Sequence, residues 1–299
     1  MKDPLNQTAK AFLTIVRERV EESARAVAAA TGSEALRSQP FAGKMLRSAL
    51  AARLIQHGPA AANPRRIAGA CSAVELVHTA SLFHDDVIDE ATLRRGCPSL
   101  WNSTTRKGAI LVGDLLLCRA MQLVLSLDNP RWMESFMDKC REVCAAEAQQ
   151  ELRARGVRIA AEDCLRIARQ KTGPLFAFTA LVCGEDDEEL SAALEEAGYC
   201  VGTAYQLGDD LLDEVADEEE AGKTLGTDAE RNKYTLACGD GEGPEVLMNH
   251  VRELTRGAAE CLAPWPDRQR AVMEFLQSDL QPVWSRLDTD LSLQVEGAC

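Results

Sequence analysis

The chain has 299 residues, 46% hydrophobic and 27% charged, enough for one large or two modest globular domains and too many for a mini-scaffold held by staples. Its 33 lysines and arginines against 47 aspartates and glutamates leave a formal charge of −14, the wrong sign for general nucleic-acid binding. The segment from Met1 to Ala30 carries charges every few positions without an apolar signal core, and no long uncharged apolar run follows, so the expectation is a cytoplasmic protein with no integral membrane segment.

Apolar spacing is helical from the start. Phe12, Ile15, Val16 and Val20 form one stripe of a helix that should end near Gly32, and after the Gln39-Pro40 break Leu46, Ala49, Leu50 and Leu54 repeat the pattern. Beyond Gly58 to Pro64, Ile67, Ala70, Cys71, Val74, Val77 and His78 continue it. Further breaks fall at Arg95-Gly96-Cys97-Pro98, Asn129-Pro130, Gly184-Glu185-Asp186 and Gly239 to Pro244. Aromatic residues are 5% and alternating strand patterns are missing, so no strand is expected. Short connections between amphipathic helices predict one all-α antiparallel bundle of about ten or more helices, a single domain over residues 1–299.

The 11 cysteines are scattered singly in a chain too large to need staples, which reads as buried reduced thiols. Only Cys140 and Cys144 share helical i,i+4 spacing, and no zinc pattern surrounds them. Cys299, as the last residue, makes no prenylation box.

Two acidic clusters carry the chemistry. Asp85, Asp86 and Asp89 follow an apolar helix at i, i+1 and i+4, so three carboxylates should converge beside one helical turn. Asp209, Asp210 and Asp213 repeat that spacing. Carboxylate oxygens suit Mg2+, which fills the rest of its octahedron with water and substrate phosphate. Asp186-Asp187 has Leu190 at the decisive position and reads as an acidic helix start. Cations are set around the clusters. Lys44 and Arg47 are at i,i+3 on a predicted helix face, Arg94-Arg95 follow the first cluster, Lys171-Thr172 lie mid-chain, and Lys223 and Lys233 follow the second. These are the counter-charges that a diphosphate requires. Lys223 reads equally as a charge on a helix C-terminus, and the run from Asp213 to Glu220 as a solvated helix end.

From Gly43 to Thr235 the ordered blocks GKMLR (43–47), HTASLFHDDVIDEATLRRG (78–96), GAILVGDLLL (108–117), KTGPLF (171–176), YQLGDDLLD (205–213), GKTLGTD (222–228) and KYT (233–235) resemble the trans-isoprenyl diphosphate synthases. The resemblance implies the isoprenoid synthase fold, helices around a central cavity, usually as a homodimer. It implies Mg2+-dependent condensation of isopentenyl diphosphate with an allylic diphosphate (dimethylallyl, geranyl or farnesyl), with three Mg2+ ions when substrates are bound. Carried over by position, Asp85, Asp86, Asp89, Asp209, Asp210 and Asp213 are the metal ligands. Lys44, Arg47, His78 and Arg95 match the isopentenyl diphosphate site; Arg94, Lys171, Thr172, Gln206, Lys223 and Lys233 surround the allylic diphosphate. The catalytic set is Asp85, Asp86, Asp89, Lys171, Asp209, Asp210 and Lys223. Ser48 and Tyr205 depart mildly from the family pattern, and the match fades after Gly239.

Ionising an allylic C–O bond needs cationic neutralisation of the departing diphosphate and an apolar or π-rich wall around the cation, for which Phe83, Phe176 and Tyr205 are candidates. Each helical turn rises about 5.4 Å, so Ser81, Ala80 and, deeper, Val77 lie where a growing tail would pass. In the family, bulky residues at the first two positions resemble a floor; their absence here implies a product of C20 or longer. Two other readings remain, a non-catalytic subunit of a heteromeric synthase and a class I terpene cyclase.

Overall fold

The computed structural model describes residues 5–41, 43–58, 63–94, 96–154, 161–215 and 244–284, with side chains described except at 153, 154, 161, 213–215 and 244. Helix α1 (Gln7–Thr31) is capped by the Asn6 side chain, which accepts from Ala9 N at 2.9 Å, and closes on Gly32 in the left-handed conformation at φ 65°. It buries Phe12, Val16 and Val20 as the apolar stripe predicts. After the single turn α2 (Glu34–Arg37), helix α3 (Leu46–His57) starts behind Met45, itself left-handed at φ 50°. That conformation ends the helix N-terminally, so Lys44 lies outside it. The expectation of Lys44 and Arg47 on one helix face is corrected accordingly.

Helix α4 (Pro64–Ile88) opens on an Asn63 cap with proline in its first turn and is buried nearly all round, from Ile67 to Phe83. Such a helix belongs at the centre. It packs on α1, α3, α6 (Arg106–Leu125) and α8 (Ala161–Leu181). Between α4 and α6 come a two-stranded antiparallel hairpin, β1 (Leu93–Arg94) and β2 (Cys97–Pro98), and the short α5 (Leu100–Ser103). The hairpin was not expected. It turns at Gly96, φ 72°, and strands of two residues leave no periodicity to read.

Helix α7 (Pro130–Gln149), capped by Asn129, runs into a π turn at Gln150–Ala154. Helix α8 ends in the 3-10 turn Val182–Gly184, and α9 (Glu188–Val215) returns along it. Helices α10 (Pro244–Glu260) and α11 (Pro266–Phe275) pack on α9 and α3 respectively. One continuous core joins residues from α1 to Trp284. Among the described residues Cys71, Cys140, Cys183 and Cys200 are buried as expected, whereas Cys118 and Cys144 are exposed.

The α8/α9 contact is backbone against backbone. A Cβ on Gly202 would meet Gly173 Cα at 2.7 Å and Thr172 O at 2.9 Å, and one on Gly198 would meet Ala177 Cα at 2.6 Å. Neither helix can yield without moving the other. Gly202→Val is therefore expected to cost about 1 to 3 kcal/mol or more of stability, read as a lowered denaturation midpoint; an unchanged midpoint would refute this account of the contact.

Candidate active site

The two aspartates of the first cluster that adjoin in sequence do different things. Asp86 is 1% exposed, and its Oδ1 accepts from Arg94 Nε at 2.8 Å and Arg94 Nη2 at 2.6 Å. The hairpin makes this possible by folding back on the end of α4: Ala91 N donates to Asp86 O at 3.0 Å, Ser99 N to Thr92 O at 2.9 Å, and Trp101 Nε1 to Ala91 O at 2.8 Å. A buried carboxylate without such a partner would be strongly unfavourable. Asp85 and Asp89 are half-buried at the end of α4, Asp89 as its capping residue. Three convergent carboxylates were expected. The structure has two beside one already neutralised, because position i+1 turns inward toward Arg94.

His84 fastens this end of α4. Its Nε2 lies 3.0 Å from Ile110 O and 3.4 Å from Asp114 Oδ1, over Gly113, where any Cβ would strike the ring. A carbonyl only accepts, so the bond to Ile110 requires the proton on Nε2.

The second cluster is connected across two helices. Thr172 Oγ1 donates to Gln206 Oε1 at 2.5 Å, and Gln206 Nε2 donates to Asp210 Oδ1 at 2.8 Å. Beside Thr172, Lys171 Nζ is 2.9 Å from Glu147 Oε1 and donates to Gln150 Oε1 at 3.4 Å. Glu147 and Gln150 went unpredicted, since their role arises only where α7 meets α8; π turns such as the one that starts at Gln150 often mark functional positions. Asp209 and Asp210 are half-buried. Asp213 belongs to α9 with its side chain outside the described residues, as are Arg95, Lys223 and Lys233 altogether.

Further contacts tie these groups together. Partial burial, then the Glu147 and Asp85 carboxylates, hold the Cys144 thiol above its ordinary value. Tyr199 is sandwiched between Lys139, 4.8 Å from its ring centre, and Arg169 at 4.3 Å. Burial, then its bond to Glu142, pushes the Tyr199 phenol up to about 12.

Arg47, 8% exposed, stacks its guanidinium 5.1 Å from the Phe176 ring centre, and Phe176 lies 5.9 Å from Tyr205. Phe83 packs instead against Phe41, ring centres 6.1 Å apart. Neighbouring Arg47, Ser48 donates from Oγ to Glu75 Oε1 at 2.6 Å. Lys44 is exposed ahead of α3. On α4, His78 is half-buried and its carbonyl accepts from Ser81 Oγ at 2.9 Å; Val77 and Ala80 are buried. Among the described residues no three His, Cys, Asp or Glu side chains converge as a ready metal cage.

The sequence model of the polyprenyl synthetase family matches residues 33–240. The chain belongs to this family. It is 34% identical over 202 residues to the short chain isoprenyl diphosphate synthase of Methanothermobacter thermautotrophicus, covering 65% of this chain and 61% of that one. The chain thus spans about three-fifths of that relative. With the heptaprenyl diphosphate synthase component 2 of Geobacillus stearothermophilus it shares 33% identity over 231 residues, 75% of this chain and 70% of the relative. The crystal structure of a polyprenyl synthase from Caulobacter crescentus, complexed with calcium and isoprenyl diphosphate, superposes with a TM-score of 0.71 at 26% identity, over 90% of this chain and 94% of that one. The polyprenyl synthetase fold is therefore all-α here as there, as the helical periodicity implied.

The unequal aspartates are separable by experiment. Asp86→Ala leaves Arg94 without its buried partner and is expected to cost about 3 kcal/mol of stability. Asp85→Ala should cost less than about 1 kcal/mol. Equal denaturation midpoints for the two variants would contradict the inward orientation of Asp86.

Proposed function

We propose that the chain is a trans-polyprenyl diphosphate synthase, a prenyltransferase that joins isopentenyl diphosphate to an allylic diphosphate and lengthens it by one isoprene unit per cycle. The observation that carries this reading is the bonded sequence Thr172–Gln206–Asp210 with Lys171 alongside, which couples a diphosphate-type donor pair to a metal-type carboxylate within a family of such synthases. The pairing of two aspartate clusters with two sets of cations favours two diphosphate substrates, and so a synthase over a terpene cyclase.

The residues fit Mg2+. Asp85, Asp89, Asp209 and Asp210 offer hard carboxylate oxygens, and Mg2+ ordinarily takes one or two of these and completes its shell with water and phosphate. When bound, Mg2+ supplies positive charge against the diphosphate leaving group. Lys171 and the Thr172 hydroxyl bind the allylic diphosphate, Lys171 by exchanging its Glu147 contact for phosphate oxygen. Lys44, Arg47 and His78 hold isopentenyl diphosphate, with Arg95 completing that set; Lys223, Lys233 and Asp213 complete the allylic set. Arg94 reaches a phosphate only by giving up Asp86.

The allylic C–O bond breaks with its electron pair leaving on diphosphate, the isopentenyl double bond attacks the carbon, and the released diphosphate accepts the final proton. Tyr205 and Phe176 present π faces on the α8/α9 side.

Small side chains at Ala80 and Ser81, with Val77 below, support a product of C20 or longer. We further read the protein as a single-domain cytoplasmic homodimer. Helix α6 is long and apolar enough to cross a membrane by length and composition, but one side packs on α4, and Ile110, Leu111 and Leu115 on it stand exposed. A face of that kind marks an interaction surface, which a second copy would cover. Similarity to a synthase component 2 makes a heteromer the competing assembly, distinguished by whether the purified chain is active alone.

Extension of labelled isopentenyl diphosphate on C5 to C20 primers tests the reading. Chelation of divalent ions should abolish product and added Mg2+ restore it, and Asp209→Ala should lower kcat/KM by at least about 100-fold, roughly 2.7 kcal/mol of barrier. Undiminished condensation by Asp209→Ala would overturn the proposal. Ser81→Phe should shorten the product, and a wild-type product that stops at C15 would sink the chain-length assignment.

A further inference from the structure

The C-terminal part of the described chain packs on α9 at Gly208, immediately before the second aspartate cluster. After α11 the backbone passes through a π turn, Leu276–Leu280, and a 3-10 turn, Gln281–Val283, before reaching Trp284. These turns break the α-helical path and bring the Trp284 indole, 0% exposed, onto α9. It lies in the notch left by Gly208, the residue immediately before Asp209. A Cβ at Gly208 would collide with Nε1, Cε2 and Cδ1 of the ring.

The same segment is held from the opposite side by α3. Arg53, 2% exposed, donates from Nε to Asp279 Oδ2 at 2.8 Å and reaches Glu274 Oε2 at 3.5 Å, while His57 Nε2 lies 2.6 Å from that Glu274 oxygen. Between these anchors Phe275 packs on Phe176, ring centres 6.4 Å apart, and Phe176 carries the Arg47 guanidinium. One brace thus spans from the helix of Arg47 to the turn of Asp209 and Asp210.

We propose that Trp284 is a positioning residue for the second aspartate cluster: its ring, wedged into the Gly208 notch and anchored through Arg53 and Asp279, sets the orientation of the α9 turn that presents Asp209 and Asp210. The inference rests on the reading above that these two carboxylates bind the metal. Among the described residues the indole N–H has no hydrogen-bond partner, and the fit of the ring to the Gly208 notch is one of shape. An apolar ring of similar shape should serve as well, because it fills the space without burying an unsatisfied donor. Phenylalanine is accordingly the conservative variant, and alanine the disruptive one.

The test uses the full chain and Mn2+ as a spectroscopic probe with inorganic diphosphate, free Mn2+ being followed by electron paramagnetic resonance. Trp284→Ala is expected to weaken Mn2+ binding about 10-fold, an estimated 1.4 kcal/mol, while Trp284→Phe stays within about 2-fold. In steady state the alanine variant should raise KM for the allylic substrate and leave KM for isopentenyl diphosphate unchanged, a split that general destabilisation would not produce. Gly208→Ala pushes a methyl group into the ring edge and should give the same loss, which decides the matter if Trp284→Ala fails to fold. Folded Trp284→Ala or Gly208→Ala protein with wild-type Mn2+ affinity overturns the inference alone. Wild-type protein that takes up no Mn2+ with diphosphate overturns the metal reading and this inference together.

Discussion

The constraint on which the site depends is the close approach of α8 and α9 at the α9 glycines. Where Gly202 faces Gly173 and Gly198 faces Ala177, the two backbones approach so closely that a methyl group on either α9 glycine would not fit, and this closeness lets two short side chains bridge the helices. Thr172 reaches Gln206 directly, and Gln206 reaches Asp210 one turn along. With an ordinary interhelical separation of 8 to 10 Å filled by leucines, the Thr172 hydroxyl would not span the gap. Glycine here is a packing requirement that serves a polar one, and Tyr199, pinned between Lys139 and Arg169, closes the same seam on the α7 side.

A second theme is how an acidic protein keeps clustered carboxylates from repelling one another before any metal arrives. The first cluster does it by division, with Asp86 buried and turned inward to Arg94 and Asp85 and Asp89 half-buried at the end of α4. The second does it by hydrogen bonding, with the Gln206 amide donating to Asp210. Lys171 is likewise held by Glu147. Each group waits in a local ion pair or hydrogen bond that a stronger partner, a divalent ion or a diphosphate, can displace. Charge-assisted contacts of this kind are exchanged at modest net cost when partly solvated, which suits a site that must open and refill once per isoprene added.

Much of the fold was legible in residue spacing and punctuation. The Phe12, Val16, Val20 stripe, the Gly32 stop, and the breaks ending at Pro64 and at Asn129-Pro130 all appear as read, because helix punctuation and 3.6-residue periodicity are local in origin. Lys44 shows where local reasoning fails. Its spacing from Arg47 suited a helix face, yet burial of Met45 in a left-handed conformation starts α3 two residues later. The hairpin at Leu93–Pro98 was invisible for a similar reason. It forms because Asp86 needs Arg94, a demand made by burial and not by strand propensity.

Sequence alone determined the chemistry on offer: which carboxylates and cations exist, their order along the chain, the helices that carry them and the family they belong to. Those properties reside in residue identity and short-range spacing, where backbone geometry is nearly fixed. Tertiary structure alone decided which of the groups are paired, buried or braced. Asp86 and Asp85 are the same residue type one position apart, and only the fold of the chain against α4 buries one against Arg94 and leaves the other half-buried. Glu147, Gly208 and Trp284 acquired their places in the same way, since contacts between residues tens of positions apart depend on how whole helices pack, and no local pattern encodes that.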